Sequence, residues 1–349
     1  MKTLAAVLNK INNPLQIEEL TIPELKAGQV LVKIAYSGVC HSQLNEVHGL
    51  KGEDKFLPHT LGHEGSGVVE NVGSSVKKVK PGDHVVLTWI KGMGADVPSA
   101  LYKRSNGSIV NSGAISTFLT KAVISENRVV KIPDKMPLRE AALLGCAIPT
   151  GAGIVMNTAR VKPSTSVAVF GVGGIGLSAL LAAKIANASL IIAIDVLDHK
   201  LEQAIQLGAT HIINARNQDV LSGIMDITGN RGIDYAIECA GKKESMENAF
   251  HSVRNNGGLC VIAGNLPQGE KISINPFGLI QGKRIIGTWG GETLPDKDIP
   301  MYVNLFFSER LNLKKLISYE YSLKDINDAL DNLEKGGIGR TLIDMSGEM

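Results

Sequence analysis

Three short stretches gather side chains able to bind a metal or move a proton. "CHSQLN" sets Cys40 beside His41 and Ser42. "LGHEGSG" places His63 and Glu64 between glycines, and "LLGCAIPTG" carries Cys146. Thiolate and imidazole ligands suit zinc, and three protein ligands leave a fourth position open for water or substrate. Each residue alone also fits an ordinary interior, because free cysteine behaves as a small buried hydrophobe and a histidine can be satisfied within a core. No spacing rule joins positions so far apart. The residue types by themselves leave the metal site open.

A fourth stretch is more definite. "VAVFGVGGIGLSALLAAK" carries Gly171, Gly173 and Gly176 in GxGxxG spacing, with Gly174 beside them, after a strand-like run and at the start of a helical one. The first glycine allows the tight turn, the second lets backbone approach a pyrophosphate, and the third lets helix pack on strand. The helix N-terminus then faces negative phosphate. The next strand-like run, "LIIAID", ends on Asp195, where a ribose hydroxyl pair needs an acceptor. An acidic residue there repels a 2′-phosphate, and Val196 and Leu197 supply no arginine, so NAD is expected over NADP.

These residues need two kinds of scaffold. Up to about residue 145 the pattern is short β-branched runs broken by turns, as in "GQVLVKIAYSGVC" and "GSGVVENVGSSVKKVKPGDHVVL". From about residue 148, strands alternate with helices, through "HIINA", "GIDYAIECAG", "SMENAFHSVRNNGG" and "LCVIAGN", which predicts βαβ units and a parallel sheet. The tail "SLKDINDALDNLEKGGIGRTLIDM" predicts one amphipathic helix, a glycine stop and a last strand. At 349 residues, 44% hydrophobic and with 38 glycines, the chain suits two globular domains.

Composition excludes several partners. Net charge is +2, from 36 basic and 34 acidic residues without a like-charge block, so neither nucleic acid nor a membrane surface is expected. No apolar run reaches about 18 residues, and the N-terminal stretch is too polar for a secretory leader. The four cysteines form no CxxC pair. A reduced, cytoplasmic protein is expected.

The stretches "GVCHSQ", "LGHEGSGVVENVGSSVKKVKPGDHV", "LLGCAIPTGAG" and "VAVFGVGGIGLSAL" resemble the zinc-dependent medium-chain alcohol dehydrogenases, and the likeness runs over essentially the whole chain. The resemblance implies an α/β architecture: a GroES-like catalytic domain at 1–147 and 289–349, and a Rossmann domain at 148–288. It implies catalytic zinc on Cys40, His63 and Cys146. Ser42 is then expected to take the alcohol's proton, with Glu64 behind the metal. His41 and Arg340 are expected to contact the pyrophosphate, and Asp195 and Lys200 the adenosine ribose. Thr150 and Ile175 are expected to flank the nicotinamide, with Ala263 bonding its amide through the backbone. Trp89 is expected either to line the substrate pocket or to fill core. The implied activity is hydride transfer between a small-molecule alcohol and NAD, in a homodimer or homotetramer. An alternative on the same scaffold is a biosynthetic dehydrogenase of a sugar or cyclitol hydroxyl.

Three departures stand out. The region "TWIKGMGADVPSALYKRSNGSIVNSG" lacks the cysteines with which many relatives hold a second, structural zinc, so one zinc per chain is expected. Gln43 stands where the family carries an aspartate behind the zinc histidine. Asn45 replaces a relay histidine, and His48, three residues on, could serve if this turn is helical.

Overall fold

Alternating β-branched residues in Gln29–Val39 bury nearly the whole strand and make it the spine of a seven-stranded sheet. This computed structural model describes residues 1–347, which form two units. The first comprises Met1–Cys146 and the chain from Leu294 onward. In it, Gln29–Val39 pairs antiparallel with Glu64–Val72, Lys121–Ser125 and Arg340–Asp344. A separate closed barrel joins Lys2–Leu8, Gln16–Thr21, Leu101–Lys103, Ile109–Asn111 and His59–Thr60. Their shared core includes Val30, Ile34, Leu87, Phe118, Leu119 and Ile343. The last strand matters for the site. Thr341 lies opposite Val39, which brings Arg340 level with Cys40, 300 residues earlier in the chain.

The second unit, Ala147–Thr293, is a six-stranded sheet with every adjacent pair parallel. In order across the sheet the strands are His211–Asn214, Leu190–Asp195, Ser166–Phe170, Tyr235–Glu238, Leu259–Ile262 and Arg284–Gly287. Numbered along the chain this is the 3-2-1-4-5-6 order of dinucleotide-binding folds. The order reverses beside Ser166–Phe170, and ligands of such sheets bind at that switch point, beyond the C-terminal strand ends. Gly171 begins there. The helix Gly174–Ile185 is apolar and buried along most of its length, as expected for one pressed on a parallel sheet.

The expected GroES-like and Rossmann architectures are present. The unit boundaries fall after Cys146 and after Thr293. The two longest helices outside the sequence reading are Val220–Thr228 and Pro295–Phe307. Val220–Thr228 is capped by Asp219, whose side chain accepts from Ser222 N. Pro295–Phe307 starts with proline at its first turn but also carries Pro300 inside, where a missing N–H normally argues against a helix. No single helix among the described residues is long and apolar enough to cross a membrane.

Candidate active site

Cys40 directly follows the spine strand and stands at the N-cap of the short helix His41–Val47. His63 directly precedes the strand Glu64–Val72, and Cys146 follows the tight turn Ala142–Gly145. Three separate elements thus deliver one constellation. The ligand atoms of Cys40, His63 and Cys146 all lie within 4.8 Å of one another. His63 Nε2 is 3.3 Å from Cys146 Sγ. Both cysteines are buried and His63 is half-buried. Two sulfurs and one imidazole converging on one point fit zinc by the chemistry of the donor set.

The charge around this point is arranged. A hydrogen bond from the Cys146 thiol, aided by the nearby Arg340 guanidinium, holds Cys40 well below the usual thiol range despite its burial. Cys146, which gives that hydrogen bond and is itself buried, is pushed up. Arg340 is 4% exposed and forms an ion pair with the fully buried Glu64. Burial opposes the guanidinium's charge, but Glu64 and the two cysteines outweigh it and hold Arg340 above the ordinary arginine range. Its Nε has no hydrogen-bond partner. Ser37 and Thr117 hydroxyls both donate to the Glu64 carbonyl at 3.1 Å. Gly38 leaves room for the carboxylate, since a Cβ there would come within 2.2 Å of Glu64 Oε1.

Around this centre, Trp89 lies edge-on to His63, with ring centroids 6.5 Å apart. Ser42 is half-buried on the helix His41–Val47, and its hydroxyl accepts from Lys51 Nζ at 2.7 Å. Lys51 escaped the sequence reading because nothing in its spacing marks it; the turn after the helix folds it back. The segment carrying Asn45 is helical. His48 caps its end and points to Glu334, with Nε2 3.2 Å from Oε1. His41 is exposed at the first position of the same helix.

The second unit carries the glycine turn. Gly171 has φ +82°, and a Cβ at Gly176 would strike Gly171 O at 1.9 Å. A Cβ at Gly173 would meet nothing within 4 Å, so the backbone there borders open space at the helix N-terminus. That cradle fits a dinucleotide pyrophosphate. Asp195 ends its strand with Oδ2 accepting from Val172 N at 2.9 Å and Oδ1 from Val196 N at 2.8 Å. The carboxylate thus braces the turn as well as standing at the expected ribose position. Thr150 is buried with its hydroxyl unpartnered. Ile175 packs close by: a Cβ at Gly151 would meet its carbonyl at 2.2 Å. The Ala263 N–H already donates to Glu238 O at 2.9 Å, so the group it could offer a carboxamide is its carbonyl. Lys200 lies on the helix Asp198–Leu207, just beyond Asp195.

The chain is similar to known proteins over nearly its whole length. Residues 26–134 match the Alcohol dehydrogenase GroES-like domain family, and residues 174–308 the Zinc-binding dehydrogenase family. An S-(hydroxymethyl)glutathione dehydrogenase from Synechocystis is 36% identical, covering 98% of this chain and all of its own length. Its namesake from Saccharomyces cerevisiae is 32% identical over 98% of this chain and 96% of its own. A benzyl alcohol dehydrogenase structure from Acinetobacter calcoaceticus superposes with TM-score 0.90 at 31% identity, over 99% of this chain and 100% of that one. An alcohol dehydrogenase zinc-binding domain protein from Burkholderia ambifaria gives 0.91 at 33% identity, over 99% of each chain. These relatives do not favour the sugar or cyclitol alternative. The chain belongs to the zinc-dependent medium-chain alcohol dehydrogenase family.

Proposed function

We propose that the protein, an NAD-dependent zinc alcohol dehydrogenase, acts on primary alcohols with an apolar side group and converts them to aldehydes. The observation that carries this is the convergence of Cys40, His63 and Cys146 with Trp89 edge-on to His63. The indole supplies an apolar wall beside the reacting point. Benzyl alcohol and S-(hydroxymethyl)glutathione, named by the relatives, both present a –CH2OH group.

Zinc held by the three residues would polarise the alcohol's oxygen and ease loss of its proton near neutral pH. The chain's own groups do the rest. Ser42 Oγ takes the alcohol's proton as it gives up its own toward solvent, with Lys51 Nζ donating to its oxygen. His48 is assigned the outward step to solvent. The buried Arg340–Glu64 pair supplies fixed charge behind the metal. The glycine turn, Asp195 and Lys200 hold NAD, with His41 toward the pyrophosphate and Thr150, Ile175 and Ala263 toward the nicotinamide; Arg340, expected at the pyrophosphate, is instead buried against Glu64. Asp195 favours NAD over NADP. The reading extends to one zinc per chain and a cytoplasmic homodimer or homotetramer. Apolar Phe277, Ile280 and Trp289 are exposed near the edge strand Arg284–Gly287, which supports self-association.

The test is NADH formation on benzyl alcohol, ethanol, S-(hydroxymethyl)glutathione and a sugar alcohol, with zinc measured on the same sample. Benzyl alcohol should be the best of these by kcat/KM, and Ser42→Ala should lower its kcat by about 100-fold. Preference for the glutathione adduct or the sugar alcohol would overturn the substrate reading.

A further inference from the structure

We infer that the Gln43 amide holds His63 in a hydrogen-bond polarity that suits the metal-free site, so that taking up zinc requires this amide to let go of Cys40. The inference rests on Cys40, His63 and Cys146 being the zinc site. It starts from what each group can donate or accept.

Gln43 is 1% exposed, on the first turn of the helix His41–Val47. The backbone N–H of Cys40 can only donate, and its partner is Gln43 Oε1 at 2.8 Å. That bond decides which end of the amide is oxygen. The other end, Nε2, then faces His63 Nδ1. An amide nitrogen only donates, so Nδ1 must be the bare, accepting nitrogen. The ring proton of a neutral His63 therefore sits on Nε2, pointing at Cys146 Sγ 3.3 Å away.

Nε2 is also the nitrogen turned toward the cysteines, the one a metal would use. A metal-bound imidazole nitrogen must have its lone pair free, with the proton on the other nitrogen, whose hydrogen bond usually goes to an acceptor. In that tautomer Nδ1–H would meet the N–H of the Gln43 amide, donor against donor. Turning the amide over satisfies His63 but sets an NH2 group against the Cys40 N–H, and at 1% exposure no bulk water can replace the lost acceptor. A carboxylate at position 43 accepts from both donors at once and has no such conflict. Gln43 is therefore a positioning residue that loosens the zinc site and couples metal loading to its own rotation.

The experiment compares zinc affinity of chelator-stripped wild type and Gln43→Glu by competition with a chromophoric chelator, with folding checked by circular dichroism and thermal melting. Gln43→Glu should bind zinc about 10–100-fold more tightly, the range in which partners of ligating histidines act. Equal or weaker binding by the folded variant overturns the inference and leaves the metal reading standing. Absence of zinc uptake by both proteins overturns the metal reading and the inference together. Nitrogen NMR of the His63 ring in metal-free wild type decides independently, even where the variant fails to fold. A proton on Nε2 that moves to Nδ1 with zinc supports the inference, and a proton on Nδ1 without metal overturns it.

Discussion

Arg340 gives the site its electrical balance at the scale of single residues. It reaches the centre from the far end of the chain because its strand pairs with Gln29–Val39. There it faces Glu64, Cys40 and Cys146 in a region closed to solvent. A buried charge left without its partner is costly, and removing one member of such a pair typically costs about 3–5 kcal/mol. Arg340→Met should therefore destabilise the protein by about that amount in urea unfolding of the metal-free form, because Glu64 remains buried and uncompensated. Adding Glu64→Gln should recover part of the loss by removing the orphaned charge. A single variant as stable as wild type would show that the pair is dispensable. None of this was legible in the sequence. Cys40, His63 and Cys146 could be named by type, but their convergence depends on three elements meeting in space, and only the family resemblance grouped them. Gln43 stood out as a departure, yet the direction of its hydrogen bonds depends on where the Cys40 N–H lies.

At the scale of elements, the cysteine-free segment from Thr88 to Gly113 is tied by side chains. Glu126 is 4% exposed, and its carboxylate accepts from Lys77 N at 2.6 Å, Lys78 N at 2.8 Å and Ala95 N at 2.8 Å. Ser125 Oγ bonds Ala95 O at 2.6 Å and accepts from Val97 N at 3.0 Å. Asp296 accepts from Met93 N at 2.6 Å and pairs with Lys78. Burial alone would push the Glu126 carboxyl up, but the amides of Ala95, Lys77 and Lys78 outweigh it and hold it below the usual value. A folded pKa below the unfolded one contributes stability at pH above the unfolded value, about 4.3, and loses it as pH falls through the folded value. Glu126→Gln sets an NH2 group against one of these donors and should cost about 1–3 kcal/mol at pH 7. The gap between variant and wild type in thermal unfolding should narrow as pH drops below about 4. A constant gap across that range would mean the carboxylate's charge is not what ties the segment. The sequence announces only that cysteines are missing here; the replacement is made by backbone donors, which no residue pattern displays.

At the scale of the whole molecule, the two halves differ in how much their sequences disclose. The glycine turn, the run ending at Asp195 and the alternating strands of the second unit are local patterns that predict a parallel sheet, whose 3-2-1-4-5-6 order the structure adds. The first unit depends on pairing between distant strands such as Arg340–Asp344 and Gln29–Val39, and Pro300 hides the helix Pro295–Phe307. The division also separates the chemistry. All three metal-ligating candidates lie in the first unit, whereas Gly171, Gly173, Gly176 and Asp195 lie in the second. The remaining cysteines, Cys239 and Cys260, are also in the second unit, outside that convergent group. Among the described residues, only Cys40, His63 and Cys146 form a group with metal-binding convergence. Mass spectrometry of the purified protein should therefore find one zinc per chain, and the double variant Cys40→Ser, Cys146→Ser should carry almost none. Stripping zinc with a chelator should abolish alcohol oxidation, since no other group here can activate the substrate. NADH should still bind the stripped protein, because Gly171, Gly173, Gly176 and Asp195 lie in the second unit and none of them is a metal-ligating candidate; its fluorescence enhancement on titration reads this directly. Two zinc ions per chain, or loss of NADH binding together with the metal, would show that the two chemistries are not partitioned between the units in this way.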